Sequence, residues 1–413
     1  MFQVFTLIVA VSALMSYVNH KYIKLPNTIG VLILSIVFSL LLSAVQFVNI
    51  EWYHKTCSIV TTLDFRSILF DFLLGFLLFA GAIHVNLSNL LEEKAPVILF
   101  ATVGVLISTF ITGTLIYYLS GFMGLGITYM ESLVFGSLIA PTDPVAVLSL
   151  LQKANINKKL EIKIIGESLF NDGVGIVVFL SMLALAGGMS HGGEVTALSI
   201  TQSFLVEAGG GLLLGAILGY IGVYFLKSIS DQPIIEVHIT LGIVMAGYSL
   251  ASFIGVSGAL AMVIAGIMIG NRLSRPDLPQ NLKNNLTLFW NILDETLNAV
   301  LFVLIGIEIL ILEFEISYLI LGIAAILISL ISRYFSVSVS NTIVPKKHKS
   351  SGKDLIVMTW AGLRGGISIG LALNLSDEMH RDPILYMTYM VVIFSIIFQG
   401  LSVGKLAKRL YSQ

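Results

Sequence analysis

The chain has 413 residues with 23 Lys and Arg, 24 Asp and Glu, a formal net charge of -1 and 56% hydrophobic side chains. Charged residues make up only 11%, against roughly a quarter in an average soluble domain, so most of the surface faces lipid rather than water. The balanced charge offers no basic face for nucleic acid, and a single cysteine, Cys57, excludes an internal disulfide and a thiolate metal cluster.

A spanning helix needs about 20 mostly apolar residues, because hydrocarbon leaves backbone polar groups no partner outside the helix. Thirteen stretches qualify, at approximately 2–18, 27–48, 67–88, 96–119, 131–152, 162–187, 198–226, 234–254, 257–270, 285–311, 315–340, 355–375 and 383–403. The first lacks the positive n-region of a cleavable signal peptide. The ninth is short, and the break before it, Gly255-Val256-Ser257-Gly258, is barely polar. Other breaks carry clear punctuation, such as Lys94-Ala95-Pro96 and Asp382-Pro383. The expected class is an all-α polytopic membrane protein with no separate soluble domain.

Orientation follows from the Lys and Arg residues. With the N-terminus outside and the C-terminus cytoplasmic, 18 of them face inward and three (Lys55, Arg66 and Arg381) face outward. The remaining two, Arg333 and Arg364, lie inside spans 11 and 12.

An ionisable residue at mid-membrane is costly and marks a functional site by default. Span 5 contains Pro141-Thr142-Asp143-Pro144, and span 6 contains Gly166-Glu167-Ser168-Leu169-Phe170-Asn171-Asp172-Gly173. Two prolines remove two backbone donors and clash with the preceding turns, which predicts two half-helices with unwound backbone between them. The freed carbonyls and the Thr142 hydroxyl are hard oxygen donors for a small cation, and Asp143 offsets the positive end of the half-helix starting at Pro144. The plainer alternative is a kinked helix with a capping Asp. In span 6, Ser168 and Asp172 share a face four residues apart, with Asn171 beside them. This set suits Na+ or Li+ and lacks the His and Cys expected for zinc. A cation and a proton would compete for Asp172. Glu167, on another face, is expected to pair with one of the two buried arginines, since each cancels the other's cost.

Arg364 sits in Gly362-Leu363-Arg364-Gly365-Gly366, a stretch that can unwind like the span 5 break; for Gly370, close packing is an equal reading. Spans 4–6 and 11–13 are then two sets of three, each with an interrupted middle member, running in opposite directions. Such an arrangement points to a transporter's binding site. In span 7, Gly211, Gly215 and Gly219 form a small-residue ridge suited to tight packing.

Together, Thr142-Asp143-Pro144, Gly166-Glu167-Ser168, Asn171-Asp172, Arg333 and Gly362-Leu363-Arg364-Gly365 resemble the NhaP-type sodium/proton antiporters of the monovalent cation:proton antiporter group, over essentially the whole chain. The resemblance implies an NhaA-like fold of about 13 helices with inverted repeats and two crossed discontinuous helices, spans 5 and 12. It implies a dimerisation panel from residues 1–93 and 231–312, a core from 94–190 and 313–413 ending in a short cytoplasmic tail, and a linker helix over 191–230. It further implies a homodimer in the cell membrane that is no enzyme, carries no cofactor and exchanges Na+ (or Li+) for H+.

Residue by residue, the resemblance makes Asp172 the exchanging carboxylate, with Thr142 and Ser168 as oxygen ligands of Na+. Asp143 supports the helix crossing with Pro141, Pro144, Arg364, Gly365 and Gly366, while Glu167 pairs with Arg333. Asn171 stands where electrogenic relatives carry a second Asp, which implies electroneutral one-for-one exchange. One position departs: relatives often carry a Glu where Leu77-Leu78-Phe79-Ala80-Gly81 has Ala80, and His84, one turn on, is either a substitute or a plain interfacial residue. K+/H+ exchange and a cation channel are the competing readings; no repeated filter or charge ring speaks for the latter.

Overall fold

In the computed structural model, the described residues are 2–45, 49–51, 58, 65–143, 150–151, 156–187, 197–229, 232–273, 280–311 and 315–411. Pro144, Cys57, Lys55, Lys153 and Arg275 lie outside them. The described elements are all helices: α1 (Phe2–Val18), α2 (Asn27–Ala44), α3 (Ile68–Ile83), α4 (Leu87–Glu92), α5 (Lys94–Phe122), α6 (Tyr129–Ile139), α7 (Lys158–Leu185), α8 (Ala197–Ser228), α9 (Pro233–Ile254), α10 (Gly258–Leu273), α11 (Gln280–Glu308), α12 (Ile316–Ile343), α13 (Gly352–Ala361), α14 (Gly366–Leu373), α15 (Arg381–Phe394) and α16 (Gly400–Tyr411). Among the described residues, eight helices are long and apolar enough to cross a membrane, α15 and α16 counting as the one continuous helix Arg381–Tyr411, or nine if α13 and α14, bent by 51°, form one span. Shorter apolar helices are α3, α6 and most of α10.

Local chemistry sets the ends. Gly255, at φ +71°, closes α9 in the left-handed conformation that favours glycine. The weakly polar break before α10 is thus made by backbone geometry. Two boundaries differ from expectation. The stretch 67–88 does not run on as one helix, because Asn86 accepts from the Asn89 N–H at 3.1 Å and starts the short α4. At the other end, helix continues past 403 to Tyr411, since Gly400, Val403 and Ala407 are buried while Lys405, Lys408 and Arg409 remain exposed.

Helices α5, α6, α7, α12 and α15 pack on one another, and α14 packs on α15 and α6. Helices α1 and α2 pack on α11, α3 packs on α10 and α11, and α8 and α9 pack on α10. The small-residue ridge of α8 meets α10 closely: a Cβ on Gly211 or Gly215 would fall 2.5 Å from the backbone oxygens of Ser257 and Ala261.

Helix α11 is held in a definite rotation. Trp290, fully buried, packs its ring 4.5 Å from that of Phe79 and donates to the Thr240 hydroxyl at 3.2 Å. Further along, the hydroxyls of Ser35 and Ser39 donate to the carbonyls of Val303 and Gly306 at 2.9 and 2.6 Å. These contacts fix the rotation that places Asn291, Asp294, Glu295 and Asn298 on the lining of the cavity described next.

Candidate functional site

The site is organised around two helix breaks. Helix α6 begins with a capping box in which the Glu131 N–H donates to the Thr128 hydroxyl at 3.3 Å and the Thr128 N–H to Glu131 Oε2 at 2.7 Å. It stops at Ile139 because Pro141 has no N–H to continue the ladder and crowds the preceding turn. Pro141, Thr142 and Asp143 are non-helical. The second break runs from Gly362 to Gly365 between α13 and α14.

The breaks meet backbone to backbone, the Asp143 N–H donating to the Leu363 carbonyl at 2.8 Å. Arg364 caps the open end of α6: Nη1 donates to the carbonyls of Ala140 at 2.6 Å and Pro141 at 2.9 Å, while its own N–H donates to Ser395 Oγ at 2.9 Å. A guanidinium on terminal carbonyls meets the negative end of the helix dipole and satisfies acceptors that lipid would leave bare. Side chains are barred where the breaks touch. A Cβ on Gly362 would lie 2.8 Å from Arg333 Nε and 3.1 Å from Thr142 Cγ2, and one on Gly365 would lie 2.9 Å from the Asp143 side chain. Gly366 and Gly370 are helical residues of α14; Gly366 admits Leu301 and Ile305, and Gly370 admits Leu69 and Phe70, so packing rather than unwinding explains both.

Helix α7 passes beside the first break. Ser168 Oγ donates to the Thr142 carbonyl, Asn171 Nδ2 donates to Thr142 Oγ1 at 2.8 Å, and the Thr142 N–H faces Asn171 Oδ1 at 3.4 Å. Thr142, Ser168 and Asn171 are all buried. One turn before Asn171, Glu167 is 1% exposed and receives both Nη atoms of Arg333, the Nη2–Oε2 contact being 2.9 Å. Of the two buried arginines, Arg333 therefore takes the carboxylate and Arg364 the carbonyls.

A cavity of about 660 Å³ lies against this arrangement. It is lined by Pro141, Asp143, Ser168 and Asp172, by Asn291, Asp294, Glu295 and Asn298 of α11, and by His84, which follows α3. Gly365, Gly366 and Ser368 of the second break also border it. Thr142, Asn171, Glu167, Arg333 and Arg364 are not among its lining residues; they hold the breaks from behind. Asp143 is close enough to act electrostatically on both Asp172 and Asp294. Four carboxylates line this space, and among the described residues no Lys or Arg does.

Two of those carboxylates, Asp294 and Glu295, escape a reading that treats 285–311 as one apolar block. Their signal is the polar set Asn291, Asp294, Glu295 and Asn298, spaced i, i+3, i+4 and i+7 on one helix face. Asn298, 4% exposed, orients Asp294 by donating Nδ2 to Oδ1 at 3.1 Å. His84 hydrogen-bonds to Asn291 and borders the cavity, whereas Ala80 is buried and does not line it.

Residues 8–409 match the family model for the sodium/hydrogen exchanger, transmembrane. The chain is 40% identical over 411 residues to the Na(+)/H(+) antiporter NhaP of Pseudomonas aeruginosa, covering 98% of this chain and 96% of that protein. It is 29% identical to the Na(+)/H(+) antiporter NhaH of Halobacillus dabanensis, covering 94% and 93%. Its fold is similar to that of the sodium proton antiporter MjNhaP1 from Methanocaldococcus jannaschii at pH 8, with TM-score 0.76, 22% identity, and 99% and 98% of the two chains covered.

Proposed function

Because the chain belongs to the sodium/hydrogen exchanger family, we propose that it is a secondary active transporter that exchanges Na+ (or Li+) for H+ across the cell membrane. The observation that carries this reading is the cavity with four carboxylates and, among the described residues, no Lys or Arg on its walls, bordered by two helix breaks. Buried like charges repel, and a cation among them relieves that cost. Polar groups at membrane depth are tolerated where they line such a wet space.

Asp172 is the exchanging group in this proposal. It holds either a cation or a proton, so loading one releases the other. Ser168, with its proton committed to the Thr142 carbonyl, keeps hydroxyl lone pairs for a cation. Thr142 and Asn171 hold the break open at the height of Asp172, and Asp143 supplies negative charge beside it. Since Asn171 cannot titrate, one carboxylate exchanges one cation for one proton, and the cycle is electroneutral. Asp294, on α11 at the same cavity, draws the cation in before it reaches Asp172.

The packing of the helices supports a core of residues 94–190 and 313–413 moving against a panel of residues 1–93 and 231–312, with 191–230 between them. In this reading the chain crosses the membrane thirteen times and the two broken helices cross each other. The N-terminus lies outside, the C-terminus lies in the cytoplasm, and two copies pair through their panels.

The test is reconstitution in liposomes with an imposed pH gradient. Adding Na+ or Li+ should collapse the gradient, and clamping the membrane potential to zero should leave the rate nearly unchanged. Collapse by K+ alone would replace the substrate assignment, strong voltage dependence would remove the one-for-one stoichiometry, and current without proton coupling would make the protein a channel.

A further inference from the structure

One charged surface lies outside the transport site. Residues 345–355 and 400–413 are about fifty positions apart in the chain, yet the fold brings them together at one end of the molecule. Lys353 Nζ donates to the Leu410 carbonyl at 3.0 Å, and the Tyr411 hydroxyl donates to Asp354 Oδ1. Deeper in, Trp360 Nε1 donates to Ser402 Oγ at 2.8 Å and Gln399 Nε2 to the Trp360 carbonyl at 3.1 Å. These contacts fix α16 against α13.

The outer surface of this pair is basic. Lys346, Lys347, Lys349 and Lys353 come from the first segment and Lys405, Lys408 and Arg409 from the second, and all of them are exposed. Asp354 is the one acidic residue in the two segments. It is already engaged by Tyr411 and by its capping box with Ser351, whose N–H donates to Asp354 Oδ2 at 2.8 Å. Orientation by positive charge requires only that cations collect on one side of the membrane. It does not require that two distant segments be tied together to present them on one amphipathic helix and its neighbouring loop.

We infer that this face binds the phosphate headgroups of anionic lipids in the leaflet beside it. Clusters of four to eight Lys and Arg next to a membrane span attract such lipids through the surface potential. Helix α16 is the last part of the continuous apolar helix Arg381–Tyr411, so Lys405, Lys408 and Arg409 stand at the end of a membrane span, where headgroups lie. The surface is also coupled to the site: α13 runs from Asp354 directly to Gly362, Leu363 and Arg364 of the second break. A headgroup that holds α16 therefore holds the helix on which that break is built.

The test uses the full chain in detergent at low salt, titrated with short-chain phosphatidylglycerol, short-chain phosphatidylcholine or inorganic phosphate, with the thermal unfolding midpoint as readout. Phosphatidylglycerol should raise the midpoint, and the other two should not. Salt at about 0.5 M should remove the effect by screening. Replacing Lys346, Lys347, Lys349, Lys405, Lys408 and Arg409 by Gln should weaken half-saturation by about tenfold or more. A variant carrying Arg at those five lysines should keep the wild-type response. An equal shift with phosphatidylcholine, or an unaltered response in the Gln variant, overturns the proposal. An equal shift with inorganic phosphate overturns the lipid assignment in favour of a soluble anion. None of these readouts measures transport, so their failure leaves the antiport reading untouched, and failure of antiport leaves this one intact.

Discussion

The backbone N–H of Asp143 donates to the carbonyl of Leu363 at 2.8 Å. Each residue lies in a helix break, so one hydrogen bond satisfies a donor and an acceptor that two interrupted helices would otherwise leave bare in lipid. The two breaks support each other, and the carboxylate of Asp143 is thereby fixed at the wall of the cavity.

Asp172 is the group on which cation and proton compete. Asp172→Asn should abolish Na+-driven collapse of a pH gradient in liposomes while the protein elutes and unfolds like the parent. Exchange at the parental rate in that variant would sink the central assignment. Competition also sets a sign for pH: as pH falls, protons occupy more of Asp172, so the apparent KM for Na+ should rise. A KM independent of pH would argue against a shared site.

Asp294 faces the cavity from α11, and Asn298 fixes its orientation. Asp294→Asn should raise the apparent KM for Na+ by about fivefold to tenfold, in keeping with loss of one nearby charge in a partly wet site, and should lower kcat far less. A fall in kcat with unchanged KM would instead give Asp294 a part in the conformational cycle.

Glu167 and Arg333 form a bidentate pair in a buried setting. Removing either partner leaves an uncompensated charge and should cost about 3–5 kcal/mol of stability, read as a lower unfolding midpoint in detergent and poorer expression. The exchanged pair, Glu167→Arg with Arg333→Glu, should recover part of that loss, and a double-mutant cycle measures the coupling. Additive single effects would show that the pair does not act as a unit.

Arg364 donates to two carbonyls at the end of α6 rather than to a carboxylate. Arg364→Lys keeps the charge but not the reach of the guanidinium, whose Nη1 makes both bonds, and should cost about 1–3 kcal/mol as a buried acceptor goes unpaired. Adding Glu167→Gln to it should worsen stability further rather than rescue it, because Glu167 is not its hydrogen-bonded partner. Rescue in that double variant would reverse the pairing of the two arginines.

Much of this was legible along the chain. Long apolar runs identify helices in lipid because hydrocarbon allows the backbone almost no other form. Pro141 within such a run announces a broken helix for an equally local reason, its missing N–H. Glycine at 362 and 365 marks the second break, although the close contacts with Thr142, Arg333 and Asp143 that exclude a side chain there belong to the fold. Gly366 shows where local reading fails: it belongs to a glycine-rich stretch, yet it is helical and serves packing against Leu301 and Ile305.

The choice between Arg333 and Arg364 as the partner of Glu167, and the exposure of Asp294 to the same cavity as Asp172, were decided by tertiary structure. A helix that is apolar around most of its circumference carries little information about its rotation, since each face suits lipid or a neighbouring helix equally well. Rotation is set by particular contacts, such as Trp290 against Phe79 and Thr240, and Ser35 and Ser39 on the carbonyls of α11. The scarcity of charge along 413 residues determined the solvent and the few positions where chemistry could reside. Which of those charges face one another depended on how the helices turn, and only their packing sets that.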